Sequence, residues 1–192
     1  MNDENKPIAF ERLDHERIPM NMPDAAQPIE LSENIRHRLD QWLKRYPADK
    51  RQSGVFEALR LVQEENNGSL NVALMDAVAA YLGITKISVY EVAAFYTMYE
   101  LNPVGRHVIH VCTNISCTLN GAEKVLERLK ETLHINLNET TGDRRFTLKE
   151  VECLGACIAP PVCMIDKKYY ENVTPEKIDR IVADLSTEPH HE

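Results

Sequence analysis

Two pairs of cysteines constrain this chain more than any other feature. Cys112 and Cys117 fall in CTNISC, Cys153 and Cys157 fall in CLGAC, and one long segment separates them. Four soft sulfur ligands delivered from two loops are the inventory on which iron-sulfur clusters draw. Whatever fold forms must therefore bring residues 112–117 and 153–157 to one place. Cys163, the fifth cysteine, lies outside both pairs in an apolar run that reads as a strand. It is expected to be a buried free thiol, because free cysteine commonly packs as a small hydrophobe.

The spacing weighs the alternatives. Structural zinc also takes four thiolates, usually from two CxxC knuckles. Here the pairs enclose four and three residues, and neither is CxxC. The wider loops suit two irons better than one ion, although zinc stays open. Dithiol oxidoreductase chemistry needs an attacking thiolate and a close resolving thiol, normally CxxC at a helix start, and that motif is missing. Cysteines scattered only by packing would seldom fall into two such pairs. A mixed imidazole–thiolate site fares no better. His107 and His110 in RHVIHVC stand three positions apart, so in a strand they point to opposite faces.

Composition narrows the setting. At 192 residues the chain suits one main domain with a helical extension, and 43% hydrophobic residues can build a core. A formal charge of -8, with no Lys/Arg cluster, argues against nucleic acid or an anionic membrane surface as partner. The opening MNDENKPIAFERLDHER has no apolar run that could act as a signal peptide, and no stretch approaches a membrane span. The expectation is a cytoplasmic protein in a reducing compartment, where paired cysteines are more often metal ligands or catalytic thiols than disulfides.

Pro7, Pro19, Pro23 and Pro28 break residues 1–30 into an extended arm. Residues 31–101 then read as four amphipathic helices. Ser32 caps the first, with Ile35, Leu39, Trp42, Leu43 and Tyr46 on one face until Pro47. The second runs from Val55 to about Glu65, aligns Val55, Leu59 and Val62, and ends at Asn66, Asn67 and Gly68. Asn71 caps the third, which turns Leu74, Met75, Val78 and Leu82 inward and closes at Gly83. Ser88 and Glu91 have capping-box spacing for the fourth, before Val89, Val92, Ala93 and Tyr96. These helices show no titratable constellation and read as packing or docking surface.

After the turn-rich Asn102–Gly105, residues 102–186 alternate between strand and helix. A strand over 106–112 ends at the first cysteine, a helix follows from about Asn120 to His134, and a second strand, FTLKEVE, ends at Cys153. Short strands are expected at Val162–Ile165 and Tyr169–Asn172. The last helix has Thr174 as cap, Pro175 at its first position, and Ile178, Ile181, Val182 and Leu185 inward. This is an α/β sandwich of helices against a small mixed sheet, with residues 187–192 as a tail that includes His190 and His191.

Backbone N–H groups in Thr113–Ser116 and around Gly155 could donate to cluster sulfurs, whose potential depends on such donors. Gly155 would let the backbone turn tightly between two ligands. Leu154, Ile158 and Val162 are expected to form an apolar lid.

CTNISC, CLGAC, the preceding FYTMYELNPVGRHVIHVC and the later YYENVTPEKIDRIV together resemble the 24 kDa, E-type subunit family of NADH:quinone oxidoreductase, respiratory complex I, over about residues 33–185. The resemblance implies a thioredoxin-like ferredoxin domain behind an N-terminal helical region, carrying one 2Fe-2S cluster on Cys112, Cys117, Cys153 and Cys157. It implies a partner, the larger subunit that binds NADH and FMN, with other peripheral-arm subunits beside it, and a site peripheral to the inner membrane. Single electrons pass between a family member and the partner's flavin. The family member binds no NADH itself, and no glycine-rich dinucleotide fingerprint is present here. The same module serves as a diaphorase subunit of NAD-linked hydrogenases and formate dehydrogenases, and a zinc-stabilised interaction module is the alternative of another class. One departure stands out: where the family often reads CLGACxxAP, this chain reads CLGACIAPP, with Pro160 and Pro161.

Overall fold

The computed structural model describes residues 29–187. Most of the expected arm, residues 1–28, and the tail with His190 and His191 lie outside the described residues. The chain divides into two units, one through Pro103 and one from Val104.

The first unit is helical: α1 (Glu33–Leu43), a 3-10 turn at Arg51–Gly54, α2 (Val55–Glu65), α3 (Val72–Leu82) and α4 (Lys86–Phe95). Capping chemistry sets the boundaries. The Ser32 hydroxyl accepts from Ile35 N at 3.2 Å, the Asn71 side chain accepts from Leu74 N at 2.9 Å, and Gly83 takes the left-handed conformation that ends α3. Two expectations need correction. Tyr46 lies beyond the end of α1 and is exposed, because the chain leaves the helix at Leu43 through successive tight turns. The fourth helix starts earlier than Ser88: Thr85 is the cap, its hydroxyl 3.4 Å from Ser88 N, so Ser88 sits inside the first turn. Leu39, Leu59, Val62, Val78, Leu82, Val89 and Ala93 form a contiguous core. Buried Tyr99 joins it, its hydroxyl satisfied by Phe56 O at 3.0 Å.

The second unit carries β1 (His107–Cys112), α5 (Ile115–Leu119), α6 (Ala122–Leu133), β2 (Phe146–Val151), β3 (Cys163–Ile165), β4 (Lys168–Tyr170) and α7 (Pro175–Thr187). The sheet order is β2-β1-β3-β4. β1 pairs parallel with β2, antiparallel with β3, and β3 pairs antiparallel with β4. A small mixed sheet thus carries the second unit, as the sequence led one to expect. One sheet face brings Ile109, Val111, Phe146, Leu148, Cys163 and Ile165 onto Val125, Leu126 and Leu129 of α6 and Ile178 and Val182 of α7. The other face presents Val108, His110, Lys149 and Met164, all half-buried.

The helix expected over Asn120–His134 is α6, which runs from Ala122 to Leu133. Asn120 and Gly121, the latter at a φ of +92°, separate it from the short α5 before it. The strand expected to reach Cys153 stops at Val151, β3 begins at Cys163 rather than Val162, and β4 covers 168–170.

Candidate metal centre

The sheet register builds the site. Cys112 ends β1 opposite Val151 of β2, while its backbone N–H reaches Val162 O at 3.1 Å on the other side. Thr113 N then bonds Val151 O at 3.1 Å. The central strand is thereby pinned between the two segments that flank residues 153–157, which is why both cysteine pairs arrive at one end of the sheet.

Cys117 is on a helix, not in a loop. Asn114 caps α5, its side chain accepting from Ile115 N at 2.9 Å, and the Thr118 hydroxyl donates to Thr113 O at 2.7 Å. This folds the segment back so that Cys117 points inward, buried with Cys112, Ala122 and Val162 over half-buried Val151, Leu154 and Ala156. Of the residues expected to form a lid, Val162 and Leu154 belong to this apolar floor. Ile158 does not: it is 94% exposed, carried outward by the turn that follows Cys157. Ile115 and Leu119, on the outer side of α5, are also exposed.

The second pair lies at the surface. Cys153 and Cys157 are exposed, with Sγ atoms 3.9 Å apart, and Gly155 N donates to Cys153 Sγ at 3.3 Å. Gly155 has a φ of +76°, a conformation that glycine reaches without the penalty a side chain incurs, and a Cβ there would meet nothing within 4 Å. The expectation of a backbone donor near Gly155 thus has a definite target. From the Thr113–Ser116 segment, the Ser116 hydroxyl donates to Cys157. The cis peptide between Pro160 and Pro161 follows, and the segment is held by Asn172 N on Ala159 O at 2.8 Å and Val173 N on Pro161 O at 2.9 Å.

The thiols sense one another. Burial pushes the Cys117 thiol up to about 11, helped by its hydrogen bond with Cys112 and by the charges that Cys112 and Cys157 would carry. Cys157 is raised chiefly by its hydrogen bond and charge interaction with Cys153, with a further contribution from Cys112, and the Ser116 hydroxyl pulls the other way. Cys112 donates to Glu152 O at 3.5 Å. The raised values favour the protonated form of Cys117 and Cys157, and a cation placed beside them would reverse that preference, since metals bind thiolates.

The exposed pair has the separation that two thiolates on one metal require. Two thiolates on one tetrahedral metal, each at about 2.3 Å, stand about 3.8 Å apart, close to the Cys153–Cys157 separation. Among the described residues, no group of three or more His, Cys, Asp or Glu side chains is set to enclose one metal ion. His107 and His110 do not converge on one metal. His107 is buried on the α6/α7 face with its Nδ1 paired to Asp166, and His110 faces the opposite side of the sheet. Cys163 opposes Val111 in the sheet and is fully buried in the main core, where desolvation pushes its thiol up to about 12. Sequence reasoning missed α5, whose signal was the Asn114 cap, and missed the His107–Asp166 pair, which joins residues 59 positions apart.

Comparison with known proteins adds context to this geometry. Residues 39–186 match the model of the thioredoxin-like [2Fe-2S] ferredoxin family. The E subunit of the NADH-quinone oxidoreductase of Rickettsia bellii is 43% identical over 143 residues, 74% of this chain and 86% of the relative. The mitochondrial NADH dehydrogenase [ubiquinone] flavoprotein 2 of Dictyostelium discoideum is 35% identical over 186 residues, covering 91% of this chain and 75% of the relative. Among solved structures, an NAD+-reducing [NiFe]-hydrogenase in the air-oxidised state aligns with a TM-score of 0.59 at 16% identity. That alignment covers 67% of this chain and 22% of the hydrogenase chain, and it speaks to the fold alone.

Proposed function

From the premise that this chain belongs to the thioredoxin-like [2Fe-2S] ferredoxin family, in the group of NADH-quinone oxidoreductase E subunits, we propose that it is the electron-transfer subunit of such a complex. Its ligands are Cys112, Cys117, Cys153 and Cys157. The observation that carries the reading is the arrival of these four thiols at one end of the sheet, two on an apolar floor and two at the surface.

When bound, the 2Fe-2S cluster supplies a site that takes up and releases one electron at a time. The chain's own residues do the rest. Val162, Ala122 and Leu154 keep water from the Cys112–Cys117 side, so charge there is poorly solvated. The Gly155 N–H stabilises negative charge on the Cys153 sulfur, and a donor to a ligand sulfur favours the reduced, more negative state. Exposed Cys153 and Cys157 form the side through which electrons enter and leave, and the partner that supplies them is the NADH- and FMN-binding subunit. This chain binds neither NADH nor FMN. Its position is peripheral to the inner membrane, on the cytoplasmic side. Among the described residues no helix is long and apolar enough to cross a membrane.

Affinity-tagged chain recovered from its own cells tests the assignment to a complex. It should bring down an FMN-containing flavoprotein with quinone-linked subunits. Recovery with hydrogenase or formate dehydrogenase subunits would transfer the chain to those enzymes, and a colourless, zinc-containing protein recovered without flavoprotein would end the electron-transfer reading.

A further inference from the structure

The four cysteines differ in one respect that cluster binding does not require. Cys112 and Cys117 are buried, the first inside a hydrogen-bonded strand and the second on a capped helix. Cys153 and Cys157 are exposed, lie outside any helix or strand, and hold their sulfurs 3.9 Å apart. A disulfide needs about 2.05 Å between sulfurs, so closure takes a movement of about 1.9 Å. Gly155 lies midway between them, exposed, with open space around its Cβ direction, and can absorb that movement.

We propose that Cys153 and Cys157 form a redox switch on cluster acquisition: a reversible disulfide within the CLGAC loop that withholds two thiols from iron until it is reduced. The oxidant is a low-molecular-weight disulfide such as oxidised glutathione. Cys153, whose sulfur receives the Gly155 N–H, attacks one sulfur of that disulfide as its thiolate, forming a mixed disulfide and expelling one thiolate. Cys157, on the same side of the loop, then attacks the Cys153 sulfur and expels the second thiolate. Two protein thiols are oxidised, the small disulfide is reduced to two thiols, and the two protons lost by the cysteines end on them. Cys112, Cys117 and Cys163 are shielded from the same reagent by burial.

The consequence for cluster uptake rests on the four-thiolate reading proposed above, whereas formation of the disulfide does not. The test uses full-length chain stripped of metal anaerobically, with and without oxidised glutathione, then alkylated and mapped by mass spectrometry. A parallel sample is offered ferrous iron and sulfide and followed by visible absorption. The expected result is a Cys153–Cys157 cross-link, loss of cluster uptake in the oxidised sample, and recovery after dithiothreitol. In Cys157→Ser the reaction should halt at a glutathione adduct on Cys153, and Cys153→Ser should form no intrachain cross-link. A cross-link through another cysteine, no cross-link at all, or an oxidised chain that takes up iron and sulfide like the reduced one overturns the switch. If the cross-link forms but even the reduced chain stays colourless, the ligand assignment fails and the consequence for uptake fails with it.

Discussion

Gly105 sets the register on which the metal centre depends, and replacing it with alanine is the sharpest structural perturbation available. A Cβ at this position would lie 2.9 Å from the carbonyl carbon and the amide nitrogen of Phe146 and 3.0 Å from the carbonyl carbon of Arg145. These are backbone atoms of the neighbouring strand and its lead-in, so no side chain can rotate away. Gly105 N also donates to the buried Thr147 hydroxyl at 2.6 Å, and the next two residues bond Arg144 O and Arg145 O. Relieving the clash means parting β1 from β2 at their shared start. Overpacking of this kind costs about 1–3 kcal/mol, and weakening a buried N–H bond adds roughly another 1 kcal/mol, so Gly105→Ala should destabilise the second unit by about 2–4 kcal/mol. Native-state hydrogen exchange of the β1 amides reads this directly, because the only tryptophan, Trp42, reports on the other unit. Thr147→Val, which leaves the Gly105 N–H buried without its acceptor, should cost about 1–3 kcal/mol by the same readout. Gly142→Ala, with nothing near its Cβ, should change little. A shift below about 0.5 kcal/mol for Gly105→Ala, the size of an ordinary surface substitution, would refute the register argument.

Other outcomes follow from the same structure. In the metal-free chain at pH 8, Cys163 should resist alkylation that modifies Cys153 and Cys157, because its thiol is buried and raised to about 12. Labelling of native protein at equal rates, read by peptide mapping, would contradict its place in the core. His134 closes α6 in the left-handed conformation while exposed, so His134→Gly should raise stability by about 0.5–1 kcal/mol in chemical denaturation. Arg128 grips Asp179 with two N–H donors between α6 and α7, at 2.9–3.0 Å, which holds the Asp179 carboxyl below its usual range. A depressed carboxylate stabilises the fold above its ordinary titration range and ceases to as pH falls through it. The acid limb of the stability profile should therefore flatten in Arg128→Ala, and in wild type at high salt, and an unchanged limb in both would dismiss the pair.

The parts of this structure legible in the sequence are those whose causes are local. Ser32, Asn71 and Gly83 announce their helix ends because capping acts within four residues, and α2 was readable from Val55, Leu59 and Val62 alone. Thr85 was missed because Ser88 and Glu91 offered the same chemistry one turn later. The short α5 was hidden because its five residues are too few to show an apolar periodicity, which begins only at Ala122. For the centre, residue types and spacing pointed to four thiolates, but nothing local distinguishes the buried pair from the exposed pair. That difference comes from β1 being flanked on both sides, by Val151 and Val162, while the CLGAC loop has no strand beyond it. Ile158 shows the same limit, since an apolar residue beside a ligand reads as a lid until the turn after Cys157 is seen to carry it outward.

We propose that Cys112, Cys117, Cys153 and Cys157 hold one 2Fe-2S cluster while Cys163 serves only the core. Anaerobically prepared full-length chain, compared with single Cys→Ser variants at the four positions and with Cys163→Ala, tests it by metal analysis and EPR after chemical reduction. The expected result is about two irons per chain and a rhombic signal that persists in Cys163→Ala and is lost or strongly altered in each of the four serine variants. Stoichiometric zinc without visible absorption, or a signal unchanged in any of those four, would contradict it.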